Sequence, residues 1–267
     1  ISDMGNSIRS VVPNAKCVGA SFACAGLRKG NTIHVMNWKG SAKDQTINIP
    51  EIDHTMFPPD HSVMLNDLEA GAYGVVSLSE TKEARNYFTK LWGPKGGQVV
   101  SKSGNTIVLA MGSGLGAALI YNDIWTNTSV VIPTESGFLL AAARGINHPT
   151  YKDDVANINY VSDHYYKGLH SPCFEDLASG RGLPLDYDYL VGHPTGKDAL
   201  QIVNAAKAGD EKAKLAMQNH YKYFLRVAKS VGAGMHCSSI VMAQSNQVSN
   251  KWLIEQIIPA LEAEFKD

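Results

Sequence analysis

The sequence predicts an α/β layered fold with a mixed sheet, and three observations predict it. Short apolar runs bounded by polar or turn residues recur through the first half of the chain. A glycine-rich turn joins one such run directly to another, and the second half carries an apolar stripe at steps of three and four. Strands that alternate with helices are the mark of sheets covered by helices.

In chain order, Cys17 to Leu27, Ser62 to Leu65 and Thr106 to Ala110 are too short for helices and read as buried strands. Pro50, Pro58 and Pro59 punctuate the connections, while Asn66 to Val76 and Thr81 to Trp92 read as helices. Gly93 to Gly104 is a loop by composition and sets a domain boundary near its end, with a smaller α/β lobe over 1–105 and a larger one over 106–267. Ile107 to Ala110 then passes through Met111-Gly112-Ser113-Gly114-Leu115-Gly116 into the apolar run Ala117 to Tyr121, so this turn joins strand to strand. Ser129 to Ile132 adds a further strand before Pro133. Thr195 is placed to cap a helix, Gly209 to end it and Asp210 to cap the next. Ala213, Ala216, Met217, Tyr221, Phe224, Leu225, Ala228 and Val231 follow as the core-facing stripe of an amphipathic helix. Ser239 to Ala243 is a buried strand, and Lys251 to Phe265 a last helix with Pro259 inside it.

The 267 residues suffice for one large or two modest domains. Lys and Arg number 24 against 25 Asp and Glu, a net charge of -1, and 18% of residues are charged while 44% are hydrophobic. That balance supplies no field to draw the chain onto nucleic acid, and it excludes disorder driven by charge. The four cysteines have no zinc or redox spacing, so a reduced intracellular chain is expected, in the cytoplasm or in an organelle such as a glycosome or mitochondrion. No apolar run approaches the roughly 18 residues of a membrane span, and no targeting peptide is expected.

Four segments can carry chemistry. Asn66-Asp67 follows an apolar strand directly, where a carboxylate serves either as a base at the strand end or as the N-cap of the next helix. Gly112-Ser113-Gly114-Leu115-Gly116 lets backbone amides and a hydroxyl approach an anion, or is a plain glycine-rich β-turn; a strand follows it, which argues against a dinucleotide fingerprint. Glu135 in Pro133-Thr134-Glu135-Ser136-Gly137 and Glu175 in the run Phe174 to Leu183 sit beside glycine turns. There they suit acceptance from vicinal hydroxyls, or are surface charges. The nine histidines lack ligand spacing, and no metal site is assigned to them.

Taken in order, Phe57-Pro58-Pro59 through Leu65-Asn66-Asp67-Leu68-Glu69-Ala70-Gly71, then Val108 through Gly116, Pro133-Thr134-Glu135 and Phe174 to Leu183 resemble the bacterial-type glucokinase family and its protist members, within the hexokinase and actin-like superfamily. Asn37-Trp38 matches a sugar-side segment more loosely. The resemblance implies a two-lobed actin-like (ribonuclease H-like) ATPase fold with mixed sheets flanked by helices. It implies phosphoryl transfer from ATP to the 6-hydroxyl of glucose, the entry step of glycolysis, with Mg²⁺ bridging the nucleotide phosphates. Asp67 would be the general base; Asn37, Asn66, Asp67, Glu135 and Glu175 would bind the sugar; Gly112, Ser113, Gly114 and Gly116 would carry a phosphate-binding turn. Glucose and ATP are thus the expected partners, nucleic acid and membrane are not, and a homodimer or incorporation into a larger assembly is left open. The chain departs from the family in three places. It has no Asp-x-Gly-Gly-Thr segment, so the N-terminal phosphate hairpin is expected to be missing. Gln244-Ser245-Asn246 stands where glycine is usual, and Phe138 where many bacterial members have histidine. These departures leave a second reading: a catalytically degenerate glucokinase-like subunit with a structural or sugar-sensing role in an assembly.

Overall fold

The computed structural model describes residues 2–14, 16–35, 38–52 and 57–266. The chain forms two compact units, 1–74 and 75–267, and the division falls inside a helix, ahead of the loop that ends near 105. The first unit holds α1 (Ser2–Val11), β1 (Ala20–Cys24), β2 (Leu27–Lys29), β3 (Thr32–His34), β4 (Thr46–Asn48), β5 (Ser62–Asn66) and the start of α2 (Asp67–Ser79). In it β1 and β5 pair in parallel, Ala20 opposite Ser62 and Cys24 opposite Asn66, while β2, β3 and β4 form an antiparallel sheet. Ile33, Val35, Ile47, Ile49, Ile52, Phe57 and Met64 make its core, with the Phe22 and Phe57 rings edge to face at 5.3 Å.

The second unit continues with α3 (Ala84–Tyr87), β6 (Asn105–Met111), β7 (Leu115–Asp123), β8 (Thr128–Thr134), α4 (Tyr151–Tyr166), α5 (Phe174–Leu177) and α6 (Gly182–Val191). It closes with α7 (Ala199–Lys207), α8 (Glu211–Gly234), β9 (Cys237–Ala243), α9 (Ser245–Ser249) and α10 (Lys251–Lys266). Its sheet has the order β8-β7-β6-β9; β6 runs antiparallel to β7 and parallel to β9, which makes the expected mixed sheet. Thr106 to Met111 are all buried, as in a strand covered on both faces. Ile107, Leu109 and Met111 share a core with Leu115, Ala117, Leu119 and the inner side chains of α5, α6, α7, α8 and α10. Every residue of the predicted α8 stripe is buried. Asp210 caps α8 by accepting from the Ala213 amide at 3.0 Å.

Some elements differ from the sequence reading. Asp198, not Thr195, caps α7: its carboxylate accepts from the Gln201 amide at 2.8 Å and the Gln201 side chain accepts from the Asp198 amide at 2.9 Å. The Thr195 hydroxyl donates instead to Asp188, at 2.6 Å. Cys17 to Leu27 is not one strand, because the chain turns after Cys24 into the β2–β3 hairpin. Thr81 to Trp92 is helical only over Ala84–Tyr87, a stretch with no buried residue to hold a longer helix. Among the described residues no helix is long and apolar enough to cross a membrane.

Candidate active site

In the first unit, β5 leads into α2 through Asn66-Asp67. Asn66 Oδ1 accepts from the amides of Leu68 at 2.9 Å and Glu69 at 3.4 Å, and Glu69 Oε2 accepts from the Asn66 amide at 3.1 Å. This is a reciprocal capping box, so Asn66 caps the helix and Asp67 shares only the Leu68 amide with it. Glu69 is buried, and its other oxygen accepts from Arg28 Nη2 at 3.4 Å while Arg28 Nη1 donates to the Met64 carbonyl at 3.3 Å. Asn66 Nδ2 reaches the Gly26 carbonyl at 3.4 Å, leaving one amide hydrogen for a ligand. Asp67 is the first helical residue and is exposed; its carboxylate accepts from the Leu68 amide at 2.9 Å. Burial, and then the Asp67 charge, raise the neighbouring Cys24 thiol above its usual range. The parallel pair β1–β5 ends at this point, so Asp67 stands beyond the carboxyl ends of its strands. Asn37 lies outside the described residues.

In the second unit the glycine turn closes β6 onto β7, with the Gly112 amide donating to the Gly114 carbonyl at 2.8 Å. The Gly112 carbonyl accepts from the Gly180 amide at 2.7 Å, which fastens the turn to the Phe174 to Leu183 segment. Among the described residues the amides of Ser113 and Gly114 and the Ser113 hydroxyl have no hydrogen-bond partner. Two adjacent amides and a hydroxyl without partners at a strand end are donors of the kind that anions accept from. Gly116 lies within β7, opposite Ala110. From the other side, Asn246 Nδ2 and Gln247 Nε2 donate to the Met111 carbonyl, the latter at 3.3 Å. A Cβ on Gly112 would meet Gln244 Oε1 at 2.9 Å.

Glu175 stands against the same turn. Its Oε2 accepts from the Leu115 amide at 2.9 Å and occupies the space a Cβ on Gly114 would need, at 2.6 Å. Its Oε1 accepts from Arg181 Nη2 at 2.7 Å. Glu135 is exposed and begins the turn Ser136–Phe138, where Gly137 packs so tightly that a Cβ there would lie 2.2 Å from the Leu115 carbonyl oxygen. The segments after Glu135 and before Glu175 run side by side, the Phe174 amide donating to the Leu139 carbonyl and the Ala141 amide to the Pro172 carbonyl, each at 2.9 Å. Leu115 is therefore the meeting point: its amide serves Glu175 and its carbonyl seats the Glu135 turn.

The segment that carries Glu175 is held by Asp176, which is buried and accepts from the Cys173 amide at 2.9 Å and the Tyr166 hydroxyl at 2.8 Å. That hydrogen bond, with burial, pushes the Tyr166 phenol up to about 12. Sequence reading missed Glu69, Arg28 and Arg181. The Asn-x-x-Glu spacing of a capping box signalled the first, whereas the partners of the two arginines are set by the fold. Among the described residues no group of three His, Cys, Asp or Glu side chains forms a protein cage for a metal ion.

The family model for glucokinase matches residues 4–235. Glucokinase 1 of Trichomonas vaginalis is 39% identical over 99% of this chain and 73% of its own length, and probable glucokinase 2 of the same organism 38% identical over 99% and 72%. The crystal structure of glucokinase from Balamuthia mandrillaris in complex with glucose superposes with a TM-score of 0.85 at 29% identity, over 100% of this chain and 74% of that one. With an open mixed α/β architecture, a strand-end Asn-Asp and a glycine turn flanked by two glutamates, the chain belongs to the glucokinase family of actin-like sugar kinases.

Proposed function

We propose that the chain transfers the γ-phosphoryl group of ATP to the 6-hydroxyl of glucose, giving glucose 6-phosphate. The observation that carries this reading is the gathering of Glu175, the turn that Glu135 begins and the Ser113–Gly114 donors about Leu115 in a member of this family. In the second unit Glu135 and Glu175 are suited to accept from sugar hydroxyls, and in the first the remaining Asn66 amide hydrogen is suited to donate to one. Asp67 takes the proton of the 6-hydroxyl as its oxygen attacks the γ-phosphorus and the bond to the β-phosphate oxygen breaks. The free amides of Ser113 and Gly114 and the Ser113 hydroxyl hold phosphate oxygens. Mg²⁺, when bound, offsets phosphate charge; the donor set fits an ion carried on the nucleotide's own oxygens with at most a carboxylate or two from the protein. Four free cysteines suit a reducing compartment, the cytoplasm or an organelle.

The test is a coupled assay of ATP-dependent glucose 6-phosphate formation, with Asp67→Asn beside the wild type. Removing the base should lower kcat by about 10²–10⁴-fold with an unchanged melting temperature. A wild-type protein that binds glucose without turnover would instead identify the sugar-sensing subunit, and one that does neither would refute both readings.

A further inference from the structure

We propose that Arg181 is a positioning residue of this phosphoryl-transfer site: its guanidinium orients Glu175 for the sugar and neutralises that carboxylate where it lies against the glycine turn. The proposal rests on the kinase reading and adds to it a residue outside the sugar and phosphate ligands.

The geometry creates the need for such a residue. Glu175 Oε2 is bonded to the amide that follows the turn and fills the space beside Gly114, so a full negative charge stands next to the donors of Ser113 and Gly114. An anion brought to those donors meets like charge, which an adjacent cation cancels. Arg181 is that cation, with Nη2 2.7 Å from Glu175 Oε1 and 3.2 Å from Asp176 Oδ1. Asp176 is an immobile anchor, because it is buried and already holds the Cys173 amide and the Tyr166 hydroxyl. The guanidinium also lies over the Tyr165 ring, 5.8 Å from its centroid, and the Tyr165 hydroxyl donates to the Arg181 carbonyl at 3.3 Å. Both bonds to carboxylates leave the one nitrogen Nη2, and the planar group rests on an aromatic face, which holds its direction in a way that an ammonium on a flexible stem lacks.

A purely structural role accounts poorly for these contacts. The Arg181 side chain is 48% exposed and fills no core space, and Asp176, 2% exposed, keeps the Cys173 amide and the Tyr166 hydroxyl as partners without it. What it does control is which way a carboxylate with one oxygen on Leu115 directs the other.

Arg181→Met and Arg181→Lys in the full chain test this, by calorimetry with glucose and with a non-hydrolysable ATP analogue and by steady-state kinetics. The Met variant should weaken both glucose and nucleotide binding, each by about tenfold, at temperatures where it remains fully folded. The Lys variant restores charge without the planar group on Tyr165, so nucleotide affinity should recover while KM for glucose stays raised. A Met variant with both affinities within twofold of wild type would overturn the proposal. So would a Lys variant that loses both equally with a lowered melting temperature, which is the pattern of a structural residue. The wild-type arm is read first: absence of both glucose binding and turnover there refutes the kinase reading itself, and the proposal with it.

Discussion

Replacing Gly137 by alanine would put a methyl carbon 2.2 Å from the Leu115 carbonyl oxygen and 3.2 Å from both the Leu115 carbonyl carbon and its Cβ. Cβ contacts under 3.0 Å essentially never occur, so the two backbones must part by about 0.8 Å. Neither side yields easily. Leu115 is 3% exposed, pairs with Met111 across the sheet and gives its amide to Glu175, while the Glu135 turn is tied onward to the 172–174 segment. Overpacking of this kind costs about 1–3 kcal/mol, which in a domain this large lowers the melting temperature by roughly 2–10 °C. The catalytic cost should be larger, because displacing positioning groups by about 1 Å can reduce rates on the order of 10²-fold. Both glutamates are displaced together, so KM for glucose should rise more than kcat falls. The assay is glucose-dependent phosphorylation at saturating ATP, run beside thermal unfolding, with Gly137→Ser as a second variant that should fail equally. An alanine variant with wild-type melting temperature and kcat/KM within threefold would show that the two backbones are not in contact, and would remove Leu115 as the meeting point of the two segments.

Two further outcomes follow from local strain and from a buried acid. Gln244 has φ 88° and ψ 157°, a region that suits glycine and costs other residues on the order of 1–3 kcal/mol. Gln244→Gly should therefore raise stability by about 1 kcal/mol after the extra chain entropy of glycine, read as a higher denaturant midpoint; a lower midpoint contradicts the strain argument. Burial raises Asp186 to about 7, against hydrogen bonds from Asn219 and Asn157 and the Lys222 charge, all of which favour ionisation. Between its unfolded value near 4 and about 7 the folded state keeps a proton that the unfolded state has released, so this group costs stability as pH rises through that window. Asp186→Asn should therefore stabilise by up to about 4 kcal/mol at pH 8 and by little at pH 4, and a gain independent of pH would contradict the assignment.

The parts of the fold that were legible in the sequence are those where burial and periodicity coincide. β6 is apolar along its length because both faces are covered, and the α8 stripe repeats because one face of a long helix packs on the sheet. α4 was not legible: Asp154, Asn157 and Ser162 are buried on it, and polar residues at core positions erase the helical signal. Thr81 to Trp92 misled in the opposite sense, since local propensity there is not backed by a buried face. In the candidate site, Asn66, Asp67, Glu135, Glu175 and the glycine turn stand out through the ordered resemblance of their segments to a family, since each alone also reads as a cap, a plain turn or a surface charge. What they could not convey is how those groups are already engaged. The Leu115 amide lies sixty positions from Glu175, and Arg28 lies 41 from Glu69, separations at which pairing is decided by topology rather than by spacing.

The neutral cap of α2 has a chemical consequence. An aspartate at position 66 would cap the helix as well as asparagine does, yet it would set a second carboxylate directly beside the first. Two acids side by side make each other's ionised form less favourable, whereas a neutral amide leaves the neighbouring carboxylate without that penalty. With an amide at the cap, and with Glu69 matched to Arg28, the head of α2 presents one uncompensated charge, at Asp67. A single helical turn thereby supplies a stiff mount and a solitary exposed carboxylate, and no ligand is needed to assemble either.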